Sequence, residues 1–162
     1  MFVSNVHEWA AKCDENPKWV AECLQRIGRF GGQHPTSNVL IHSLEVWWML
    51  RTKDAVTQLW ALYHDAHEIM TGDITRPAKN LINQDFELLM DAVLQQILGI
   101  TYLEDEVSLV DKECGDIECM MWGDVVFAHK PAECVDMFIY LSGFLRKEIA
   151  CLKNKSLQTE GR

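Results

Sequence analysis

The sequence predicts an all-α fold, a compact single-domain bundle of about six helices. Apolar residues recur at spacings of three and four, as in 39–50 and 56–63, which is the period of an amphipathic helix. Alternating apolar and polar runs, which would indicate strands, are hard to find. A length of 162 residues suits one domain, and a composition with 48% apolar residues and only four prolines excludes a disordered chain.

Turn-forming residues divide the chain into its predicted elements. Pro17 can open a helix, and the glycines and proline of 31–35 mark a loop. Thr36 or Ser37 can cap the helix that follows, and the stretch 72–77, with its glycine and proline, ends a later one. The predicted helices cover the approximate spans 4 to 13, 17 to 28, 37 to 51, 54 to 71, 83 to 98, 104 to 122 and 131 to 151.

Domain organisation and localisation follow from what the chain lacks. No internal repeat, low-complexity segment or Ser/Gly linker divides it, so we assign 1–152 to one domain and 153–162 to a polar C-terminal tail that frays. The N-terminal segment has no basic region followed by an apolar core, and no stretch approaches the roughly 20 apolar residues that span a bilayer. We therefore expect a cytoplasmic protein that does not bind membranes.

The net charge restricts the class of partner. Fifteen Lys and Arg residues stand against 24 Asp and Glu residues, which gives a net charge of -9 with neutral histidines. Such a protein binds a long phosphate backbone or an anionic membrane poorly, so we expect no long nucleic-acid partner. A small phosphate compound stays possible if a metal ion or a local basic cluster reverses the field at one site.

The six cysteines are expected to be reduced and mostly buried, because nothing in the sequence directs the chain to an oxidising compartment. Cys114 and Cys119 have four residues between them, which is the loose end of the spacing between zinc ligands. A zinc protein organised by this pair is therefore an alternative. It predicts that a chelator unfolds the chain.

The segment 59–70 is the most unusual part of the chain, because four ionisable residues within five positions interrupt an apolar helical run. On a helix His64 and Glu68 share a face at i, i+4. Unpaired charges are costly in such a place, and a divalent cation removes the cost. Adjacent His64 and Asp65 can both reach one ion, which then needs two more ligands.

His42 and Asp111 are the candidates for those two ligands. His42 lies inside an apolar helical pattern, where a lone histidine is more often a hydrogen-bonded core residue than a ligand. Pairing with a His-Asp on the next helix reverses that preference. Asp111 follows an apolar turn on the sixth predicted helix, although a solvated helix face explains it equally well, and Asp116 is its rival.

Two imidazoles and two carboxylates suit cobalt, manganese, zinc, iron or nickel rather than calcium. Such a metal can polarise a phosphoryl oxygen and activate a water for attack on phosphorus. The acids available to orient that water or to protonate the leaving oxygen are Glu68 and Asp73. Arg76 and Lys79 could meet phosphate, although Asp73 could equally cap a helix and the two basic residues could be solvated.

The string 63–79 is similar to the His-Asp-Ala-x-Glu, Thr-Gly-Asp, Pro-x-Lys pattern of bacterial 5'-deoxynucleotidases and their shorter phage-encoded relatives. These enzymes belong to the all-helical HD-domain metal-dependent phosphohydrolases, named for the adjacent His-Asp pair. The segments 29–32 and 38–44 resemble the region of the family's first histidine ligand. Asp111 followed by Glu118 resembles its last ligand segment, so the resemblance covers roughly residues 24 to 122.

The resemblance implies an HD-type helical bundle and a role for nine residues. Metal ligation falls to His42, His64, Asp65 and Asp111. The catalytic acids become Glu68 and Asp73, and the substrate-binding residues become Arg29, Phe30 and Lys79, with Phe30 stacking on a base and Lys79 facing phosphate. Arg76 and His67 occupy variable positions of the pattern.

The expected function is hydrolysis of (deoxy)nucleoside 5'-phosphates. The resemblance includes 5'-deoxynucleotidases that act on monophosphates and viral enzymes that split deoxyadenosine triphosphate into nucleoside and triphosphate, and both substrates stay open. It also implies a homo-oligomer, a dimer or higher, and, for a phage-encoded chain, the host cytoplasm. The alternative from another class is a catalytically silent HD-fold module that senses a nucleotide or serves as an interaction surface.

Overall fold

The structure is a computed structural model that describes residues 5–32, 37–79, 85–102, 105–120 and 131–160. Within these ranges the backbone is predominantly helical, and β-type pairing is limited to an isolated antiparallel bridge between Gly28 and Asn38. The predicted all-α fold is therefore confirmed.

Nine helices are present in the described part of the chain. They are α1 (Val6–Glu15), α2 (Pro17–Leu24), α3 (Val39–Leu50), α4 (Ala55–Tyr63), α5 (Glu68–Thr71), α6 (Arg76–Lys79), α7 (Asp85–Leu98), α8 (Glu106–Met120) and α9 (Pro131–Glu160). Because α5 and α6 are single turns, seven longer helices remain, against the expected total of about six, and each of them corresponds to one of the seven predicted spans. A short 3-10 turn, Phe30–Gly32, precedes α3.

Side-chain caps fix the starts of the first four helices. Asn5, Asn16, Asn38 and Asp54 each accept a hydrogen bond from a backbone N–H of the helix that follows. Asn38 therefore caps α3, and the prediction of Thr36 or Ser37 is wrong. The extended backbone of Asn38 lets its side-chain oxygen reach the Ile41 N–H at 3.0 Å, which is the geometry that favours asparagine at this position.

The predicted helix 54–71 is not continuous. α4 ends at Tyr63, and turns occupy 64–67 before α5 begins. In this stretch the backbone bonds tighten to i, i+3, as from Ala66 N–H to the Tyr63 carbonyl at 2.9 Å. The His64 ring bonds to the Ala61 carbonyl at 2.9 Å, so a side chain competes with the helical hydrogen-bond ladder at this point.

The C-terminal helix is longer than predicted. α9 continues to Glu160, nine residues beyond the expected end at 151, and so includes most of the segment 153–162 that was expected to fray. This segment is polar, and its side chains are exposed as far as 156, yet it has no proline or glycine before 161. Lysine, leucine, glutamine and glutamate propagate a helix without needing a buried face.

The core surrounds α3, which packs against α4, α8 and α9. Residues 39–46 of α3 are all buried, on every side of the helix, because neighbours cover it from several directions. α9 also packs on α4 and α2, and α7 packs on α1. The end of α4, the middle of α8 and the first half of α3 consequently meet inside the bundle.

A buried polar network fixes the end of α4. The Tyr63 hydroxyl lies 2.9 Å from the Ser142 hydroxyl and accepts from the Arg146 guanidinium at 3.1 Å. Arg146 also forms an ion pair with Asp14 of α1. Because Tyr63 directly precedes His64, this network ties the position of His64 to α9 and α1.

None of the described helices is long and apolar enough to cross a membrane. Five cysteines have described side chains, and none of these is in a disulfide: Cys13, Cys114 and Cys134 are buried, Cys23 is half-buried and Cys151 is exposed. The expectation of buried thiols is thus wrong for Cys151, which lies on the outer face of α9. The Cys119 side chain lies outside the described residues, while the Cys114 thiol contacts the Met49 sulfur at 3.1 Å.

Candidate metal centre

Two histidines and two carboxylates from three elements meet where α3, α4 and α8 join. His42 comes from α3, His64 and Asp65 come from the turn after α4, and Asp111 comes from α8. One ligand atom of each residue lies within 4.8 Å of the others. The structure thus brings together the four residues that the sequence singled out, and it includes Asp111 in the cluster whereas Asp116 is exposed on the same helix.

The atoms that face each other are the Nε2 atoms of both imidazoles and one oxygen of each carboxylate. His42 Nε2 lies 2.8 Å from Asp111 Oδ1 and 3.6 Å from Asp65 Oδ2. His64 Nε2 lies 3.4 Å from Asp65 Oδ2 and 3.8 Å from Asp111 Oδ1. Two nitrogen and two oxygen donors therefore converge; His42, His64 and Asp65 are buried, whereas the Asp111 side chain is 38% exposed.

The second nitrogen of each imidazole is bound outside the cluster. His64 Nδ1 donates a hydrogen bond to the Ala61 carbonyl. His42 Nδ1 lies 2.9 Å from Glu118 Oε1, which accepts a hydrogen bond from it. A histidine whose Nδ1 carries the proton presents an Nε2 lone pair in its neutral form. Both rings are therefore oriented as metal-binding histidines are.

Glu118 holds His42 and Arg29 in place, a contact that the sequence did not reveal. One of its oxygens accepts from His42 and the other accepts from Arg29 Nε at 2.9 Å. Its pKa falls to about 2, because the hydrogen bond and charge of His42 and the charge of Arg29 outweigh the effect of burial. A signal was present, since Glu118 stands seven residues after Asp111 and two helical turns place both on one face of α8.

The electrostatics of the cluster favour a bound cation. His64 Nε2 is buried and has no hydrogen-bond partner among the described residues. Burial would lower the pKa of His64, but the carboxylates of Asp65 and Asp111 outweigh it and raise the pKa to about 9. The pKa values of both carboxyl groups are lowered against the effect of burial, chiefly by the two histidines. A divalent transition metal satisfies the unpartnered nitrogen and both carboxylates at once, so the residues fit such an ion.

The two predicted acids lie beside this cluster. Glu68, the first residue of α5, is buried, and its pKa is raised to about 9 by burial and by the charges of Asp65 and Asp73. Asp73 is half-buried and accepts a hydrogen bond from the Gly31 N–H at 3.2 Å, which ties the loop after α5 to the 3-10 turn. Gly31 has a positive φ of 64°, a conformation that glycine adopts without strain.

Arg29 and Phe30 lie at the same end of the bundle. Arg29 is buried, its Nη1 lies 3.6 Å from Asp65 Oδ2, and its guanidinium carbon lies 5.4 Å from the centre of the Phe30 ring. Burial would lower the pKa of Arg29, but Glu118 and Asp65 outweigh it and raise the pKa. The predicted arginine and aromatic residue are therefore next to the cluster.

Lys79 is half-buried rather than solvated. Its ammonium donates to Glu87 Oε2 of α7 at 3.3 Å. Burial would lower the pKa of Lys79, but the charges of Glu87, Asp65 and Glu68 outweigh it and raise the pKa. Lys79 is therefore positively charged and interacts electrostatically with the acids of the centre. The Arg76 side chain lies outside the described residues.

Comparison with models of known protein families finds no match, and comparison with curated proteins finds none either. The centre is consequently interpreted from its geometry, its electrostatics and the motif pattern of the sequence. These support a largely buried mixed nitrogen and oxygen site that could bind a metal, with two acids and two basic residues near it.

Proposed function

We propose that the protein is a metal-dependent nucleotide phosphohydrolase. It acts on (deoxy)nucleoside 5'-phosphates through attack of an activated water on phosphorus. The observation that carries the proposal is the convergence of His42, His64, Asp65 and Asp111 within 4.8 Å, next to the buried acid Glu68.

The four converging residues hold cobalt, manganese, zinc, iron or nickel, the ions that accept mixed imidazole and carboxylate ligation. When bound, such an ion polarises a phosphoryl oxygen and lowers the pKa of a water. Glu118 and the Ala61 carbonyl each accept a hydrogen bond from an imidazole Nδ1–H, so the Nε2 atoms of His42 and His64 face the ion.

The two acids have different environments and therefore different roles. The raised pKa of Glu68 allows this carboxyl group to hold a proton near neutral pH and to deliver it to the leaving oxygen. Asp73 is anchored to the 3-10 turn through Gly31 and orients the attacking water. Replacing either acid leaves the four ligands of this centre, His42, His64, Asp65 and Asp111, in place.

Arg29, Phe30 and Lys79 bind the substrate. Phe30 stacks on the base, and Arg29 and Lys79 meet phosphate oxygens. Both cations are held in position by carboxylates, Arg29 by Glu118 and Lys79 by Glu87, which reduces the conformational entropy lost on binding. The substrate is a monophosphate, as for a 5'-deoxynucleotidase, or a triphosphate, as for a triphosphohydrolase of deoxyadenosine triphosphate type.

We also propose that the enzyme is cytoplasmic and forms a homo-oligomer, a dimer or higher. Large apolar side chains on α9 support this, since Tyr140 and Phe144 are 70% and 52% exposed and stack with their ring centres 6.3 Å apart. Trp48 of α3 is 43% exposed. Light scattering that returns a mass near 18.6 kDa at working concentration contradicts the oligomer.

The activity is tested with purified protein, cobalt or manganese, and a panel of nucleoside 5'-mono- and triphosphates. Release of phosphate, triphosphate or nucleoside is measured. Glu68→Gln is expected to lose roughly 100-fold or more in turnover while still binding the ion held by His42, His64, Asp65 and Asp111, as expected for a general acid. Glu113→Gln, an exposed change on α8, is the control and keeps parental turnover.

No release from any nucleotide with either ion overturns the proposed activity. Equal turnover of the parent and Glu68→Gln in a sensitive assay favours the catalytically silent nucleotide-sensing or interaction module instead.

A further inference from the structure

A second group of ligand-type side chains lies beside the first and shares one residue with it. One ligand atom each of Asp65, His67 and Glu68 lies within 4.8 Å of the other two. The three residues are 7%, 5% and 3% exposed, so all are more than nine-tenths buried. Of these, only Asp65 also belongs to the centre formed with His42, His64 and Asp111.

Two atoms of this group have no hydrogen-bond partner in the described part of the chain. They are Glu68 Oε2 and His67 Nε2, and both are fully buried. A buried carboxylate oxygen or imidazole nitrogen without a partner destabilises the folded protein, because it has lost its hydrogen bonds to water. Two unpartnered atoms on residues that group with Asp65 within 4.8 Å match the needs of a cation.

His67 is oriented from outside the group. Its Nδ1 lies 3.2 Å from Asp91 Oδ1 of α7, which accepts a hydrogen bond from the Nδ1–H group. The other nitrogen, Nε2, then carries a lone pair in the neutral ring. Glu87 Oε1 lies 4.0 Å from it, beyond hydrogen-bond distance, while Glu87 Oε2 accepts from Lys79. The Asp91-His67 pair thus repeats the arrangement by which Glu118 orients His42.

The surrounding charges also favour a cation. Besides Asp65 and Glu68, the carboxylates of Asp91, Glu87 and Asp73 act on this region. Lys79 and Arg29 are the basic residues that oppose them at Glu68, and both are paired with carboxylates.

We propose that Asp65, His67 and Glu68 bind a second divalent cation, which shares the Asp65 carboxylate with the first centre. Two carboxylates and one imidazole suit manganese, iron, cobalt or zinc. The inference rests on the proposed function, because Asp65 is a ligand of the first centre there. A cation bound here lowers the pKa of Glu68 and ionises it, so Glu68 donates a proton only in the form of the protein that holds the first ion alone. The added charge helps to hold a phosphate substrate at a site that is otherwise rich in acids.

The test measures manganese binding to the full-length protein without substrate. Isothermal titration and equilibrium dialysis with elemental analysis give the stoichiometry, and electron paramagnetic resonance detects coupling between two ions that share a carboxylate. The parent is expected to bind two Mn²⁺ per chain and to show a coupled signal. His67→Gln is expected to bind one Mn²⁺ and to show only the uncoupled signal. His7→Gln, on the exposed face of α1, is the control and binds two.

Circular dichroism establishes that His67→Gln is folded. Asp91→Asn is a second variant that keeps all three ligands and loses the group that orients His67, so its second site weakens by about 10–100-fold. A parent that binds only one Mn²⁺ at saturation overturns the second site and leaves the proposed function intact, as does a folded His67→Gln that still binds two. A parent that binds none overturns the second site and the proposed function together.

Discussion

Replacing Glu118 by glutamine tests whether this buried carboxylate orients the metal centre. Glu118 accepts two hydrogen bonds, from His42 Nδ1 and from Arg29 Nε, each at 2.9 Å. Glutamine has the same size but only one acceptor oxygen. Whichever way the amide lies, its NH₂ group faces one of the two N–H donors, so one hydrogen bond is lost and the charge that holds both donors disappears.

The loss can be sized in two independent ways. A buried hydrogen bond to a charged group contributes about 1.5–3 kcal/mol. Removing the group that orients a ligating histidine weakens metal affinity by about 10–100-fold, which is about 1.4–2.8 kcal/mol at 1.4 kcal/mol per factor of ten. Both lead to the same expectation for Glu118→Gln, a Kd for manganese or cobalt that rises by about 10–100-fold.

Isothermal titration of parent, Glu118→Gln and the exposed control Glu113→Gln measures this change. A folded Glu118→Gln that binds the ion within about twofold of the parent refutes the orienting role, since the smallest expected loss is about tenfold. Glu113→Gln is expected to match the parent, because Glu113 lies on the exposed face of α8.

The low pKa of Glu118 also predicts how the stability of the metal-free protein, compared with that of Glu118→Gln, depends on pH. The pKa of Glu118 falls from 4.5 to about 2 in the folded protein, so its charge stabilises the fold above the ordinary pKa and this contribution is lost as the pH falls towards about 2. The difference in unfolding free energy between the parent and Glu118→Gln therefore shrinks as the pH falls below about 5.5 towards 2. A difference that grows on acidification contradicts the assignment.

Three further outcomes are expected. Asp111→Asn removes a ligand and is expected to lower metal affinity by more than about 100-fold, which is more than the loss of an orienting residue causes. Asp116→Asn is the control and leaves the affinity unchanged, and titration calorimetry measures both. When the free ion is at about 100 times its Kd, binding adds about 2.7 kcal/mol to the free energy of unfolding, so a chelator lowers the melting temperature by about 5–10 °C. The helical circular dichroism at about 20 °C is expected to persist. Unfolding at about 20 °C would favour a structural zinc protein instead. A thiol reagent at pH 8 labels exposed Cys151 in the folded protein and spares Cys13, whose pKa is raised by burial; mass mapping that finds Cys13 labelled first would contradict the packing of α1.

Local sequence pattern was sufficient for the fold class and for the candidate residues of the first centre, although it left the choice between Asp111 and Asp116 open. The apolar period of three and four indicated helices, and the structure confirms an all-α fold over the described residues. His64 and Asp65 are adjacent, so their common reach needed no knowledge of the tertiary structure. His42 and Asp111 stood out as polar residues beside apolar helical runs, and the structure places both within 4.8 Å of the His-Asp pair.

Helix ends were less predictable, because a few hydrogen bonds decide them. The break after Tyr63 goes with a histidine side chain that binds a backbone carbonyl, a competition that apolar spacing does not report. The extension of α9 to Glu160 depends on helix propensity, which a polar composition conceals.

The sequence by itself indicated which side chains could bind a cation, because residue type and helical period are local properties, but it did not decide between Asp111 and Asp116. The tertiary structure alone decided how those side chains are aimed and charged. The hydrogen bonds of Glu118 to His42 and Arg29 span 76 and 89 residues, and that of His67 to Asp91 joins the turn after α4 to α7. Such pairs form only when the packing of α3, α7 and α8 brings distant segments together, and burial then removes the water that would otherwise screen their charges.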